Sequence, residues 1–168
     1  MKIISVDIRS CVQYMDKWQV AYMKTAETFG DLSTAKRLKV GAIVVKENRI
    51  ISIGYNGTPA GWDNECEYEV EDELSTGQHV YVGPEEKKLY KLRTKVEVIH
   101  AEANAISKLA RSSESGLGAD IYITHAPCVE CAKLIYGTGI SRVYYKTKYR
   151  DDHGVKFLES CGIRVENL

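Results

Sequence analysis

"DIYITHAPCVECAKLIYGTGISRVYY" runs from Asp120 to Tyr145, and its periodicity changes twice. The β-branched and aromatic run Asp120–Thr124 reads as a strand, Cys128–Tyr136 as a helix, and Arg142–Tyr145 as a second strand. Working outward, a helix from about His100 to Ala110 precedes this unit. A helix at Gly154–Cys161 and a last strand at Ile163–Glu166 follow it. Strands that alternate with helices of this length predict an α/β sheet, with right-handed crossovers and helices on its faces.

Upstream, "KVGAIVV" (Lys39–Val45) and "RIISIGY" (Arg49–Tyr55) are β-branched runs separated by "KEN", a connection suited to an antiparallel hairpin. Before them, Cys11, Tyr14, Met15, Trp18, Tyr22, Thr25, Ala26 and Phe29 recur at three- and four-residue steps, with Gly30 as a stop. That pattern predicts a first helix with one buried stripe. Residues 56–96 have little helical or strand periodicity and hold six acids between Glu65 and Glu73. They are expected to form an elaborated loop, with a short helix near Glu85–Arg93. With no linker, repeat or low-complexity segment, residues 1–168 read as a single domain.

Composition narrows the function. Apolar residues make up 44% and charged residues 27%, as in an ordinary globular protein, and 23 basic residues balance 23 acidic ones. No net positive field exists to attract a phosphate polymer, which argues against a nucleic-acid partner. The start, "MKIISVDIRS", is too short an apolar run for a signal peptide, and no stretch approaches the ~18 apolar residues of a membrane span. A cytoplasmic location without membrane contact is the expectation. Five cysteines, Cys11, Cys66, Cys128, Cys131 and Cys161, are an odd number in a chain long enough to fold without staples. In a reducing compartment they read as core residues or metal ligands.

Cys128 and Cys131 lie three residues apart on one helix face, so both thiolates can reach one cation. Pro127 is expected at the start of the helix, where proline is tolerated, and the free N–H groups of that first turn favour thiolate. A lone C-x-x-C fits a redox dithiol or half of a zinc site, but no thioredoxin-type companion motif is present. "HAEANAI", from His100 to Ile106, supplies an imidazole at another helix start beside the same sheet edge. Two thiolates and one neutral imidazole would leave a tetrahedral Zn²⁺ with one open position. Glu102, two residues after His100, is placed for proton transfer rather than ligation. The same residues also fit a structural site closed by Cys66 or Cys161, with Glu102 only favouring the helix dipole.

H-x-E followed by P-C-x-x-C is the signature of zinc-dependent nucleobase deaminases. Beyond it, "VGAIVV", "IISIGYNGTPAGWDNECE", "HAEANAI" and "YITHAPCVECAKLIYGTGISRVYY" resemble the matching segments of deoxycytidylate deaminases, within the cytidine and deoxycytidylate deaminase superfamily. The resemblance covers nearly the whole chain, and the GYNG-x-P-x-G element is its most specific part. It implies a cytidine deaminase-like three-layer α/β/α fold with a mixed five-stranded sheet. It also implies hydrolysis of dCMP to dUMP and ammonia, supplying dUMP for thymidylate synthesis. H-x-E with P-C-x-x-C alone is shared with deaminases of nucleosides and of nucleic-acid bases, so those substrates, and a non-catalytic zinc module, remain alternatives.

On this resemblance Zn²⁺ is held by His100, Cys128 and Cys131, and Glu102 is catalytic. Substrate contacts fall to Asn56, Tyr149 and Ala101, and the phosphate to Arg37 first and Lys39 second. Asn56 also fits a turn-stabilising role ahead of Gly57. Arg37 sits in the pattern S-x-C-x-R-x-x-V-G-A, with Ala35 in place of the cysteine. Some relatives bind a second, structural zinc through that cysteine and two histidines, where this chain has Tyr90 and Thr94. Arg111, 11 residues after His100, lies on the same helix face but about 16 Å along it. The resemblance and this geometry suggest a subunit or effector-loop contact, with a solvated helix end as the alternative. His125 reads as packing or a cavity wall, and His79 and His153 as surface residues. Relatives with the GYNG element imply a homohexamer, activated by dCTP and inhibited by dTTP with Mg²⁺. In that reading Gly57, Thr58, Pro59 and Gly61 contact the triphosphate through a nest of backbone N–H groups.

Overall fold

β1 (Gly41–Lys46) and β2 (Arg49–Tyr55) form a hairpin whose turn residues, Glu47 and Asn48, both take positive φ, 50° and 59°. That left-handed pair matches the twist of the flanking strands. The computed structural model of the chain describes residues 16–71, 80–82 and 89–168. The Cys11–Met15 start expected for the first helix, Glu85–Lys88 and His79 lie outside these residues.

α1 (Lys17–Gly30) begins at a capping box in which Asp16 and Gln19 serve each other's free N–H groups. After the hairpin come β3 (Glu67–Glu71), β4 (Val80–Val82) and β5 (Leu89–Thr94). The alternation then follows as expected: α2 (Ala101–Leu109), β6 (Asp120–His125), α3 (Val129–Gly137), β7 (Arg142–Thr147), α4 (His153–Ser160) and β8 (Arg164–Asn167). Pro127 precedes the Cys128 N-cap of α3 rather than opening its first turn, a shift of one step from expectation.

The main sheet has five strands in the order β2-β1-β6-β7-β8. β1 pairs antiparallel with β2 and β6, whereas β6, β7 and β8 run parallel, so the sheet is mixed. Its central strands are apolar on both faces. Ala42, Val44, Ile121, Ile123 and Val143 pack against α2, α3 and α4, while Ile43, Val45, Tyr122 and Tyr144 pack against α1. Burial on both faces explains why β1 and β6 read as near-continuous apolar runs. The three-layer α/β/α architecture is the one expected.

Residues 56–96 depart from expectation. They carry a second sheet, antiparallel and ordered β3-β5-β4, and Leu89–Thr94 is a strand where a helix was expected. The overlooked signal is the strict alternation in "EYEVE", Glu67–Glu71, which has the period of two that a strand requires. Its acidity suggested a solvated loop, yet Tyr68 and Val70 stand opposite Arg93 and Lys91 across the pair.

The main sheet's register decides where the loops converge. β1 runs against β6, so the start of β1 adjoins the end of β6, and the Gly41 N–H donates to the Thr124 hydroxyl (3.1 Å). Gly41 also faces Tyr55 at the end of β2. The segments at 31–40, 56–66 and 126–128 therefore meet at one edge.

Candidate active site

Two helix N-termini point into that edge. His100 is the N-cap of α2, and Cys128 is the N-cap of α3. Neither side chain caps its own helix, which leaves imidazole and thiol available to each other. α2 is seated on β2 by the Ser52 hydroxyl donating to the Ala105 carbonyl (2.6 Å) and by the Asn104 amide donating to the Tyr55 carbonyl (2.8 Å). Gly54 permits this contact, because a Cβ there would lie 2.1 Å from the Ala101 carbonyl oxygen. α4 supports the other ligand: a Cβ on Gly154 would lie 2.0 Å from the Pro127 carbonyl oxygen and 2.8 Å from the carbonyl carbon of Cys128.

The His100 Nδ1 lies 3.6 Å from the Cys128 Sγ and 3.4 Å from the Cys131 Sγ. All three ligand atoms are within 4.8 Å of one another, and no other group of described residues meets that test. Zinc bonds of about 2.3 Å to sulfur and 2.1 Å to nitrogen put two tetrahedral ligands roughly 3.6 Å apart. The donor set thus fits zinc in chemistry and in spacing. Hydrogen bonds with Cys131 and His100 hold the Cys128 thiol far below its usual range, which favours the thiolate a metal needs. The same contact with Cys128, together with burial, pushes the Cys131 thiol up. Cys66 is buried with Ala35 and Val98 in a separate cluster, and Cys161 is exposed after α4. Neither completes a closed four-ligand site.

Glu102 stands in the first turn of α2 and is only 4% exposed. Burial pushes its carboxyl up to about 7, against the opposing pull of its own backbone N–H and of His100. A carboxyl that gains and loses a proton near neutrality can serve as both acceptor and donor.

His100, Ala101, Glu102 and Cys128 form one part of the wall of a cleft. Arg37, Asn56, Glu67, Thr94, His125 and Tyr149 also line it. Of the residues assigned to substrate, Arg37, Asn56, Ala101 and Tyr149 are brought together and Lys39 is not. Lys39 extends into a neighbouring cavity, where its ammonium donates to the Asp31 carbonyl (3.2 Å).

Asn56 has two occupations. Its Oδ1 accepts from the Val40 N–H (2.7 Å), and its Nδ2 donates to the Leu38 carbonyl (2.8 Å), so it ties β2 to the segment entering β1. One N–H and one lone pair of the amide remain for a ligand. His125 is a cavity wall, as expected, with its Nδ1 3.1 Å from the Thr124 hydroxyl. The Tyr149 ring carries the Arg150 guanidinium 5.3 Å from its centroid. Arg111 lies past the end of α2, outside the cleft, and His153 is exposed.

The GYNG turn differs from the expected nest. The Gly57 N–H donates to the Ile99 carbonyl (3.1 Å), and the Ile99 N–H donates back to the Gly57 carbonyl (2.9 Å). The Thr58 hydroxyl donates to the Asp63 carbonyl (2.5 Å), and the Trp62 N–H donates to the Pro59 carbonyl (3.1 Å). The pair with Ile99 fastens the turn to the approach of His100 and leaves no Gly57 N–H for a phosphate.

Glu67 and Thr94 are polar cleft residues that the sequence motifs do not mark. Glu67 belongs to the acidic run Glu65–Glu73, and Thr94 stands where some relatives have a histidine.

Residues 16–147 match the family model for the cytidine and deoxycytidylate deaminase zinc-binding region. The deoxycytidylate deaminase of Enterobacteria phage T4 is 34% identical to the chain over 172 aligned positions, covering 89% of this chain and 86% of that protein. A probable deoxycytidylate deaminase of Drosophila melanogaster is 40% identical over 143 positions, covering 80% of this chain and 62% of the fly protein. The dCMP deaminase of cyanophage S-TIM5, in a crystal structure with dCMP and dUMP, is 42% identical with a TM-score of 0.72. That superposition covers 89% of this chain and 96% of the phage protein.

Proposed function

The chain belongs to the cytidine and deoxycytidylate deaminase family, and from that premise we propose that it hydrolyses dCMP to dUMP and ammonia. Water adds to the ring carbon bearing the amino group, the carbon–nitrogen bond breaks, and the amine leaves as ammonia. His100, Cys128 and Cys131 would hold Zn²⁺, which supplies a Lewis acid that makes water nucleophilic at neutral pH. The observation that carries the reading is the buried Glu102 carboxyl in the same cleft as the ligand triad. Glu102 accepts the proton of the attacking water and returns it to the departing nitrogen. Ala101, between His100 and Glu102, offers wall for the pyrimidine. Asn56, with one donor and one acceptor left, and Tyr149 hold the sugar and ring.

Arg37 supplies the charge and paired N–H donors that a monophosphate needs. Lys39 has a weaker claim because its ammonium is turned to Asp31. The 42% identity to a dCMP deaminase over nearly its full length favours a free nucleotide over a nucleoside or a polymer. The test is a rate comparison of dCMP, deoxycytidine and a single-stranded oligonucleotide. Preference for dCMP is expected, and dominant oligonucleotide turnover would overturn the assignment.

The proposal extends to dUMP supply for thymidylate synthesis in the cytoplasm and to a homohexamer activated by dCTP and inhibited by dTTP with Mg²⁺. Its support is the family resemblance, most specific in the GYNG-x-P-x-G element. Arg111, exposed after α2, is the residue offered for a subunit or effector-loop contact. Among the described residues no helix is long and apolar enough to cross a membrane. Sedimentation with and without dCTP tests the assembly, and rates at subsaturating dCMP test the effectors.

A further inference from the structure

Among the described residues, the small sheet lines the cleft at one cross-strand pair. Glu67, the first residue of β3, lies opposite Thr94, the last of β5, so their side chains share a face of the sheet. Each grips a different part of the same short segment. The Glu67 carboxylate accepts the Lys36 N–H at Oε2 (3.1 Å) and the Arg37 N–H at Oε1 (3.2 Å). The Thr94 hydroxyl accepts from the Arg37 guanidinium (2.9 Å). Backbone and side chain of Arg37 are thus held independently, one by each strand of the pair.

A carboxylate lining a cleft that takes a phosphate ester needs an explanation, because its charge opposes the ligand's. Here both oxygens of Glu67 are turned to backbone N–H groups, while the Arg37 guanidinium keeps most of its five N–H donors. Orientation is what such a brace supplies. A long arginine side chain loses rotamer freedom on binding, and fixing it beforehand removes part of that cost. No metal is needed for this brace: Ala35, in the adjoining turn, packs with Cys66 and Val98 in a small apolar cluster, and the Thr94 hydroxyl is committed to Arg37.

We propose that Glu67 and Thr94 are positioning residues that fix Arg37 as the anchor for the substrate's 5′-phosphate. Selection of a nucleoside monophosphate over the nucleoside is then a property of the small sheet. The inference rests on the reading of Arg37 as the phosphate contact.

The test is steady-state kinetics of the zinc-loaded enzyme with dCMP and with deoxycytidine. Thr94→Val, which keeps the side chain's shape, and Glu67→Gln, which keeps one acceptor, are each expected to raise KM for dCMP about tenfold. For both variants kcat stays within about twofold and kcat/KM for deoxycytidine is unchanged, since the lost interaction serves binding alone. Thr94→Ser restores the hydroxyl and the wild-type KM. In an Arg37→Ala background, Thr94→Val adds nothing further. Equal losses on both substrates, the mark of a merely structural role, would overturn the inference, as would an unchanged KM. A wild-type enzyme indifferent to the phosphate overturns the Arg37 reading as well. A wild-type preference for dCMP that survives both substitutions overturns this inference alone.

Discussion

The metal-ligating wall and the Glu67–Thr94 wall border the same cleft, but they are built on different scaffolds. The first is carried by two helix N-termini seated on the main sheet, with Gly54 and Gly154 allowing backbone to touch backbone. The second is carried by the ends of two paired strands of a small sheet, and its grip consists of hydrogen bonds to one short segment. Close packing leaves the first wall little tolerance for added volume, whereas the second depends on individual polar atoms. In the proposed reading the conversion step falls to the first wall and recognition of the substrate's phosphate to the second.

The sharpest way to probe the first wall is Glu102→Gln, which keeps the shape and removes the proton acceptor. Turnover of dCMP is expected to fall by at least ~10²-fold with zinc content unchanged by metal analysis. Full activity in that variant would remove Glu102 from the mechanism. Metal analysis of the wild type is expected to find one zinc per chain, and chelation to abolish turnover until zinc is restored.

Gly154→Ala tests the packing beneath the ligands. Its Cβ would lie 2.0 Å from the Pro127 carbonyl oxygen, so α4 or Cys128 must move. A loss of about 2 kcal/mol in unfolding free energy and weaker zinc retention are expected. Unchanged stability would show that α4 does not brace the metal site.

Asn56→Ala tests the junction of the two walls. It leaves the Val40 N–H and the Leu38 carbonyl without their partner, which costs about 2 kcal/mol by thermal or denaturant unfolding. A drop in activity with no change in stability would instead make Asn56 a pure substrate contact.

The smallest effect is expected at His125. Burial holds its imidazole below the usual histidine value, so the folded protein resists a proton that the unfolded chain accepts near pH 6.5. Stability lost by the wild type as pH falls through that value should exceed the loss in His125→Gln. Melting both proteins at pH 7.5 and 5.5 measures the gap, and equal losses would mean that His125 titrates freely.

Much of the first wall was legible in the residues themselves. His100, Glu102, Cys128 and Cys131 sit at helix starts flagged by local pattern, and a metal narrows the residue types and spacings that can serve it. The second wall was hidden because Glu67 and Lys36, or Arg37 and Thr94, are separated by 31 and 57 positions. A carboxylate that accepts backbone N–H groups leaves no motif, since any segment can present them. The acid-rich composition of Glu65–Glu73 also masked the two-residue period of β3.

The sequence alone determined the α/β alternation and the hairpin and marked His100, Glu102, Cys128 and Cys131 as one group, because each follows from periodicity or from the coordination chemistry of a few side chains, whereas the burial of Glu102 came from the packed structure. Tertiary structure alone decided that residues 56–96 build a second sheet and that Gly57 spends its N–H on Ile99. It also turned Lys39 away from the cleft and gave Arg37 its two anchors. Those outcomes depend on which strand edges meet and which backbone groups are left to be satisfied. Both are settled only when distant segments pack.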